Sequence, residues 1–99
     1  MARFDVYSQG QRGALLLDVQ SDLLEGLSTC VVVPLLPLNA APKPADMLNP
    51  LLEVNGKAYA MVTQFMASVP RTELKKWVAN LEADSMMILA AIDFLHQGW

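Results

Sequence analysis

The residue types that most often carry chemistry are scarce in this chain and do not form a catalytic pattern. His96 is its one histidine and Cys30 its one cysteine, which leaves too few ligands for the usual zinc sites and allows no internal disulfide. A triad of Ser21 or Ser68 with His96 and an aspartate can be assembled, but almost any chain of 99 residues offers such a set. Cys30 lies in an apolar stretch, which favours a small buried side chain over a reactive thiol. We therefore predict no catalytic residue, no metal and no cofactor.

The basic residues form one cluster only, Arg71, Lys75 and Lys76, in a chain with seven basic residues and a net charge of −3. An acidic protein is repelled by a phosphate backbone, although a local basic patch can still attract one. We therefore expect no direct binding to nucleic acid.

The apolar fraction of 54% and the mean hydropathy of +0.31 are high for a soluble chain of this length. Residues 1–99 suffice for a single domain with one modest core, so the surplus apolar side chains favour burial between subunits. No apolar run approaches the roughly 20 residues that span a bilayer. Residues 1–5 lack the apolar core of a signal peptide. We expect a cytoplasmic homodimer with no membrane partner.

The first half of the chain has the patterns of strands. Residues 3–7 and 14–19 are predicted to pair as a β-hairpin through a turn at residues 9–13. Residues 29–35 are rich in β-branched side chains and apolar on both faces, which predicts a central strand, with Pro34 at its end. Residues 37–50 contain four prolines and are predicted to form a long loop.

The second half begins with a strong hairpin signal. Residues 51–54 and 57–59 flank Asn55-Gly56, which suits a type I′ turn, and the second strand can extend to Phe65. Residues 66–70 are predicted to form a bend. Thr72 is a plausible cap for a short helix or a single turn toward Val78.

The last twenty residues are predicted to form a helix that begins near Leu81, with Asn80 as its cap. Glu82, Ser85, Asp93 and His96 fall on one polar stripe, and apolar side chains fill the other faces. A helix of this kind is buried on more than one side, which favours a dimer over the core helix of a monomer. The predicted dimer contacts are Met86, Met87, Ala90, Ala91 and Phe94. Trp99 either faces a partner or folds back on its own helix.

Two motifs, Leu17-Asp18-Val19-Gln20-Ser21-Asp22 and Met66-Ala67-Ser68-Val69-Pro70, give the chain a resemblance to the CcdB family of bacterial toxins. Phe4-Asp5-Val6-Tyr7, Val33-Pro34-Leu35 and Ala91-Ile92 extend this resemblance in the same order from end to end. The resemblance implies an SH3-like barrel of the CcdB/MazF toxin type. Such a fold has an antiparallel main sheet, a small secondary sheet and a long C-terminal helix at a homodimer interface.

The same resemblance implies a function that the composition does not. CcdB-like proteins are not enzymes. They bind the A subunit of DNA gyrase and trap gyrase on cleaved DNA, and a CcdA-like antitoxin neutralises them through a disordered tail. Systems of this type serve plasmid maintenance.

Gyrase-binding positions carried over from the family lie in a loop and at the helix end. They are Ser21, Leu23 and Leu24 in the loop, and Asp93, His96, Gln97, Gly98 and Trp99 at the helix end. The usual ending is an aromatic residue, tryptophan, glycine and an aliphatic residue, so Gln97 stands at the position of a stacking tryptophan. Asp93 stands where an asparagine is expected. These departures leave open whether the chain still binds gyrase.

Two alternative functions remain open beside a gyrase poison. One is a ribonuclease of the MazF type, for which Arg71, Lys75 and Lys76 are the only basic cluster. The other is a family member that no longer poisons gyrase. We also expect residues 9–13 and 37–50 to help bind the antitoxin tail, because disordered tails wrap over wide surfaces.

Overall fold

Seven antiparallel strands and one helix form the part of the chain that this computed structural model describes, residues 2–8, 13–39, 41, 45 and 47–98. The strands are β1 (Asp5–Ser8), β2 (Leu15–Asp18), β3 (Thr29–Pro37), β4 (Leu51–Val54), β5 (Lys57–Met61), β6 (Ala67–Pro70) and β7 (Lys76–Asn80), and the helix is α1 (Ser85–Gln97). Short 3₁₀ turns lie at Asp22–Leu24, Thr63–Phe65, Arg71–Glu73 and Glu82–Asp84. The predicted mainly β fold with a C-terminal helix is confirmed.

The strands pair in the order β4-β5-β3-β2-β1-β7, and β6 pairs separately with β3. The sheet curls into a half-barrel, in agreement with the predicted barrel-like fold. β3 is the branch point of the sheet. Its N-terminal part pairs with β6 and its C-terminal part with the small β4–β5 hairpin, while β2 lies along its other edge.

The central position predicted for β3 is confirmed, because its side chains are buried on both faces of the sheet. Cys30 and Val32 belong to one apolar cluster, and Val33 and Leu35 to another. The prediction that Pro34 ends the strand was wrong, because β3 continues to Pro37. Pro34 lies between the part of β3 that pairs with β6 and the part that pairs with β5. Its carbonyl accepts a hydrogen bond from the Val62 amide. The Pro34 nitrogen, which has no hydrogen to donate, faces the same side, where no ladder partner needs it.

Both predicted hairpins are present. β1 pairs antiparallel with β2, although residues 9–12 of the predicted turn lie outside the described residues. β1 begins at Asp5 rather than at residue 3, because Phe4 turns the backbone with a φ of 72°. In the β4–β5 hairpin, Asn55 and Gly56 have φ values of 51° and 84°, as a type I′ turn requires. β5 ends at Met61 and does not reach Phe65.

The segment before the helix differs from its prediction at β6 and in the length of the turn that follows it. Residues 66–70 were expected to bend, but Ala67–Pro70 forms β6 and pairs with Thr29–Val32. A short helix or turn was expected toward Val78, but only Arg71–Glu73 is helical, and the chain then enters β7. Pairing with distant strands outweighs weak local propensity in both places.

Helix α1 packs its inner face on the larger of two apolar clusters. Ile88 and Ala91 are fully buried there against side chains of the sheet, and Leu89 and Ile92 pack at the edge. The helix was expected to begin near Leu81, but a 3₁₀ turn precedes it and α-helical geometry starts at Ser85. The Asn80 side chain accepts the Glu82 amide at 2.9 Å, but Leu81 caps the opening turn and Asp84 caps α1, so the prediction of Asn80 as the cap was wrong.

A buried carboxylate, Asp5, joins the N-terminus, β1 and β7. It accepts hydrogen bonds from the Trp77 indole at 2.9 Å, the Asn80 amide at 3.0 Å and the Ala2 backbone amide at 2.8 Å. The Tyr7 hydroxyl donates a longer bond at 3.3 Å. Burial raises the pKa of Asp5, but these donors outweigh it, so the pKa lies below its ordinary value. Asp5 is therefore charged at neutral pH and holds the edge strand β7 in place.

Candidate partner-binding surfaces

The residues between β2 and β3 form an ordered loop with its apolar side chains turned outward. Leu23 is 93% exposed, and Leu24 and Leu27 are each 49% exposed. We call residues 21–28 the leucine loop. Side chains of this kind usually pack inward, so three of them on one short loop mark a surface that is suited to a partner.

Side chains at the base of the leucine loop fix its first turn. The Ser21 hydroxyl accepts the Leu23 amide at 3.2 Å, and Asp22 accepts the Arg3 backbone amide at 2.7 Å. Gln20 bridges the two ends of the loop. Its side-chain nitrogen donates to the carbonyls of Leu24 and Thr29, both at 3.3 Å, and its oxygen accepts the Val31 amide at 3.1 Å.

Arg71 holds the leucine loop from the other side. Its Nε donates to the Leu27 carbonyl at 2.6 Å, and its Nη2 donates to the Leu24 carbonyl at 3.3 Å. Its backbone amide donates to the Ser28 carbonyl at 3.0 Å. One residue that follows β6 therefore clamps the second half of the loop.

A buried polar pair, Asp18 and Cys30, lies at the base of this region. Burial raises the pKa of Asp18, and interactions with the Cys30 thiol, the Gln20 amide and the Arg71 guanidinium oppose that rise. Burial and the neighbouring Asp18 raise the pKa of Cys30 to about 12. Cys30 is fully buried, as predicted, and its thiol is not activated for nucleophilic chemistry.

The C-terminal end of α1 presents polar side chains. Asp93, His96 and Gln97 are exposed, and Gly98 ends the helix in the left-handed conformation, with its amide bonded to the Phe94 carbonyl at 2.9 Å. A glycine suits this cap because its φ of 82° strains any residue with a Cβ. Trp99, the remaining predicted site residue, lies outside the described residues.

The outer helix face consists of Met86, Met87, Ala90 and Phe94. Met86 is 85% exposed, Met87 and Ala90 are exposed, and Phe94 is half-buried. Ala91, the fifth predicted dimer contact, is fully buried inside its own subunit instead. The 3₁₀ turn Thr63–Phe65 also contacts α1, and its Phe65 side chain is exposed.

The outer helix face therefore carries apolar side chains with no covering element in the described part of the subunit. The polar stripe predicted on the helix is exposed at Glu82, Asp93 and His96, while Ser85 is half-buried. The helix is thus apolar toward its own sheet and exposes further apolar side chains on the outer helix face, beside the polar side chains of Asp93 and His96.

The model of the CcdB protein family matches residues 3–98, which include the leucine loop and the whole of α1. The chain belongs to the CcdB family. This membership supports the role of toxin in a toxin–antitoxin pair. The CcdB family consists of toxins that poison gyrase, and it is not a family of catalytic enzymes. The predicted family is thereby confirmed. Membership also implies, in general terms, that the protein has an antitoxin partner.

Several residues of these surfaces were not predicted from the sequence. Leu27 and Phe65 are apolar residues whose exposure only the fold reveals. Gln20 and Arg71 act through backbone carbonyls of the leucine loop, so no side-chain pattern identifies them. Arg71, Lys75 and Lys76 form a basic cluster in the sequence, but nothing in the sequence indicates that Arg71 bonds to the leucine loop.

The segments expected to bind an antitoxin tail are described only in part. Residues 9–12, 40, 42–44 and 46 lie outside the described residues. Within the described portion, Leu38 and Met47 are exposed. Asn49 is buried and anchors the end of the loop, since it accepts the Ala45 amide at 3.1 Å and donates to the Met61 carbonyl at 3.0 Å.

Metal-binding and membrane-spanning features are absent from the described residues. Their acidic, histidine and cysteine side chains form no group of three that could hold a metal ion. None of the helical segments among them has the length and apolar character needed to cross a bilayer.

Proposed function

We propose that this protein is a toxin that binds the A subunit of DNA gyrase and stabilises gyrase on cleaved DNA. The observation that carries the proposal is the leucine loop, an ordered segment that exposes three leucines in a chain of the CcdB family. Ser21, Leu23 and Leu24 contact gyrase from this loop. Asp93, His96, Gln97, Gly98 and Trp99 contact it from the helix end.

Such a toxin acts by binding and performs no bond chemistry itself. A ligand shifts a conformational equilibrium only by its difference in affinity for the two states, so the toxin must prefer the conformation of gyrase that holds cleaved DNA. Apolar loop residues suit this task because they stabilise a complex only where a complementary surface on the partner excludes water.

The active form is a homodimer that pairs through the outer helix face. Met86, Met87, Ala90 and Phe94 supply the apolar contact. A two-fold dimer presents two copies of the leucine loop, which suits a target that is itself symmetric. A CcdA-like antitoxin binds the dimer and neutralises it.

Gyrase assays test the proposal. Purified protein is added to gyrase with relaxed plasmid, and supercoiling and the amount of linear cleaved DNA are measured. We expect supercoiling to fall and cleaved DNA to accumulate. If both remain at the level without toxin, binding to gyrase is refuted for this chain.

A growth assay separates the toxin from a family member that has lost toxicity. The chain is expressed in a bacterial host without antitoxin, beside Trp99→Ala and an empty vector. Arrested growth with the native sequence, relieved by co-expression of a CcdA-like antitoxin, supports the proposal. Normal growth at high expression supports a family member without toxicity.

A further inference from the structure

We infer that Arg71 is the positioning residue that holds the leucine loop in the shape that binds the partner. This inference rests on the proposed function, in which Leu23 and Leu24 contact gyrase. Arg71 contacts the leucine loop from a distant part of the chain, since its separation in sequence is 44 residues from Leu27 and 47 from Leu24.

The leucine loop lacks the usual source of loop order, which is burial of its own apolar side chains. None of the residues of its 3₁₀ turn is buried, and Leu27 is half exposed. Gly26 has open space around its Cα and adds backbone freedom. The conformation of the loop therefore depends on hydrogen bonds to its backbone.

The Arg71 guanidinium supplies such hydrogen bonds in the second half of the loop. Gln20 and Ser21 fix the first turn, but Leu27 and Ser28 lie beyond it. Two nitrogens of the planar Arg71 guanidinium donate to the Leu24 and Leu27 carbonyls. The Arg71 backbone amide donates to the Ser28 carbonyl. These contacts set the spacing between Leu24 and Leu27 on the exposed surface.

A loop that is already in its bound shape loses less conformational entropy when it binds, which raises its affinity. The Arg71 side chain donates to the loop carbonyls, so it affects partner binding indirectly, by fixing the positions of the leucines. A lysine at this position keeps the positive charge but lacks the planar fork, and cannot reproduce the two directed bonds.

The test compares Arg71→Met and Arg71→Lys with Lys75→Met, a control that removes a positive charge from an exposed side chain nearby. Hydrogen exchange of the Leu27 amide is measured in the free protein, because this amide bonds to the Leu24 carbonyl beyond the first turn, and the Leu24 and Glu25 amides of the first turn serve as internal references. We expect exchange at least tenfold faster in both Arg71 variants and no change in Lys75→Met. Unchanged loop exchange in both Arg71 variants overturns the inference.

Binding to the purified A subunit of gyrase is then measured for the same variants. We expect about tenfold weaker binding for Arg71→Met, which corresponds to about 1.4 kcal/mol, and little recovery in Arg71→Lys. Full recovery in Arg71→Lys overturns the inference, because charge alone would then suffice. If Arg71→Met fails to fold, Arg71→Lys carries both measurements.

A double-mutant cycle separates positioning from direct contact. In a background of Leu23→Ala with Leu24→Ala, the effect of Arg71→Met on binding should become much smaller, because the two leucine contacts that depend on the shape of the loop are then missing. Full additivity shows a direct contact between Arg71 and the partner and overturns the inference. If the native protein does not bind gyrase at all, the proposed function fails, while loop exchange still decides whether Arg71 orders the loop.

Discussion

Replacing Leu23 by alanine removes the most exposed leucine of the leucine loop without touching the core. The side chain is 93% exposed, so nearly all of its apolar surface is available to a partner and almost none stabilises the free protein. The substitution removes three carbon atoms. At about 0.8 kcal/mol for each buried CH₂ group, binding should weaken by about 2 kcal/mol, or roughly 30-fold in Kd.

The assay is calorimetry or surface plasmon resonance with the A subunit of gyrase, run beside a denaturant titration of the free protein. Leu51→Ala is the matched control, because Leu51 is also an exposed leucine, at 52%, but lies on β4. We expect Leu23→Ala to lose affinity with its free energy of unfolding unchanged, and Leu51→Ala to bind as the native protein does. Equal loss in both variants, or undiminished binding of Leu23→Ala, would refute the assignment of the leucine loop as the contact surface.

The other expected outcomes concern stability, assembly and the helix end. The pKa of Asp5 is lower in the folded protein than in the unfolded chain, so its stabilisation is complete above about pH 4 and is lost as pH falls through the folded-state pKa. Asp5→Asn should lower the free energy of unfolding at pH 7 by about 2 kcal/mol and flatten its decline in acid, measured by urea titrations from pH 7 to pH 2. Met86→Asp should shift sedimentation equilibrium toward monomer with little change in secondary structure by circular dichroism, whereas an unchanged dimer would place the interface elsewhere. Gln97→Trp should tighten gyrase binding several-fold in the same calorimetric assay, because it adds an aromatic ring at an exposed helix end.

Features with local causes were predicted correctly from the sequence. The Asn55-Gly56 turn depends on two residues that tolerate positive φ, and no distant part of the chain is needed to specify it. Apolar side chains on both faces of β3 likewise require a central position. The helix was predicted because its polar residues fall on one stripe and apolar side chains fill the other faces.

Features with distant causes were not predicted. β6 and β7 each contain four or five residues of mixed polarity, and they become strands because β3 and β1 offer free edges. Their partners lie roughly forty and seventy residues away in sequence. The same holds for Arg71, whose acceptors are backbone carbonyls that every residue type possesses.

The leucine loop and the helix end contribute unequally to the proposed binding surface. Within the described residues, the helix end offers the polar side chains of His96 and Gln97, whereas the loop offers three leucines on a backbone fixed by Gln20 and Arg71. Apolar surface on a preorganised segment yields more binding free energy than exposed polar groups, which must first give up water. The resemblance to the CcdB family implies a stacking tryptophan where this chain has Gln97. Under the proposed function, the leucine loop should therefore contribute more gyrase affinity than His96 and Gln97 do.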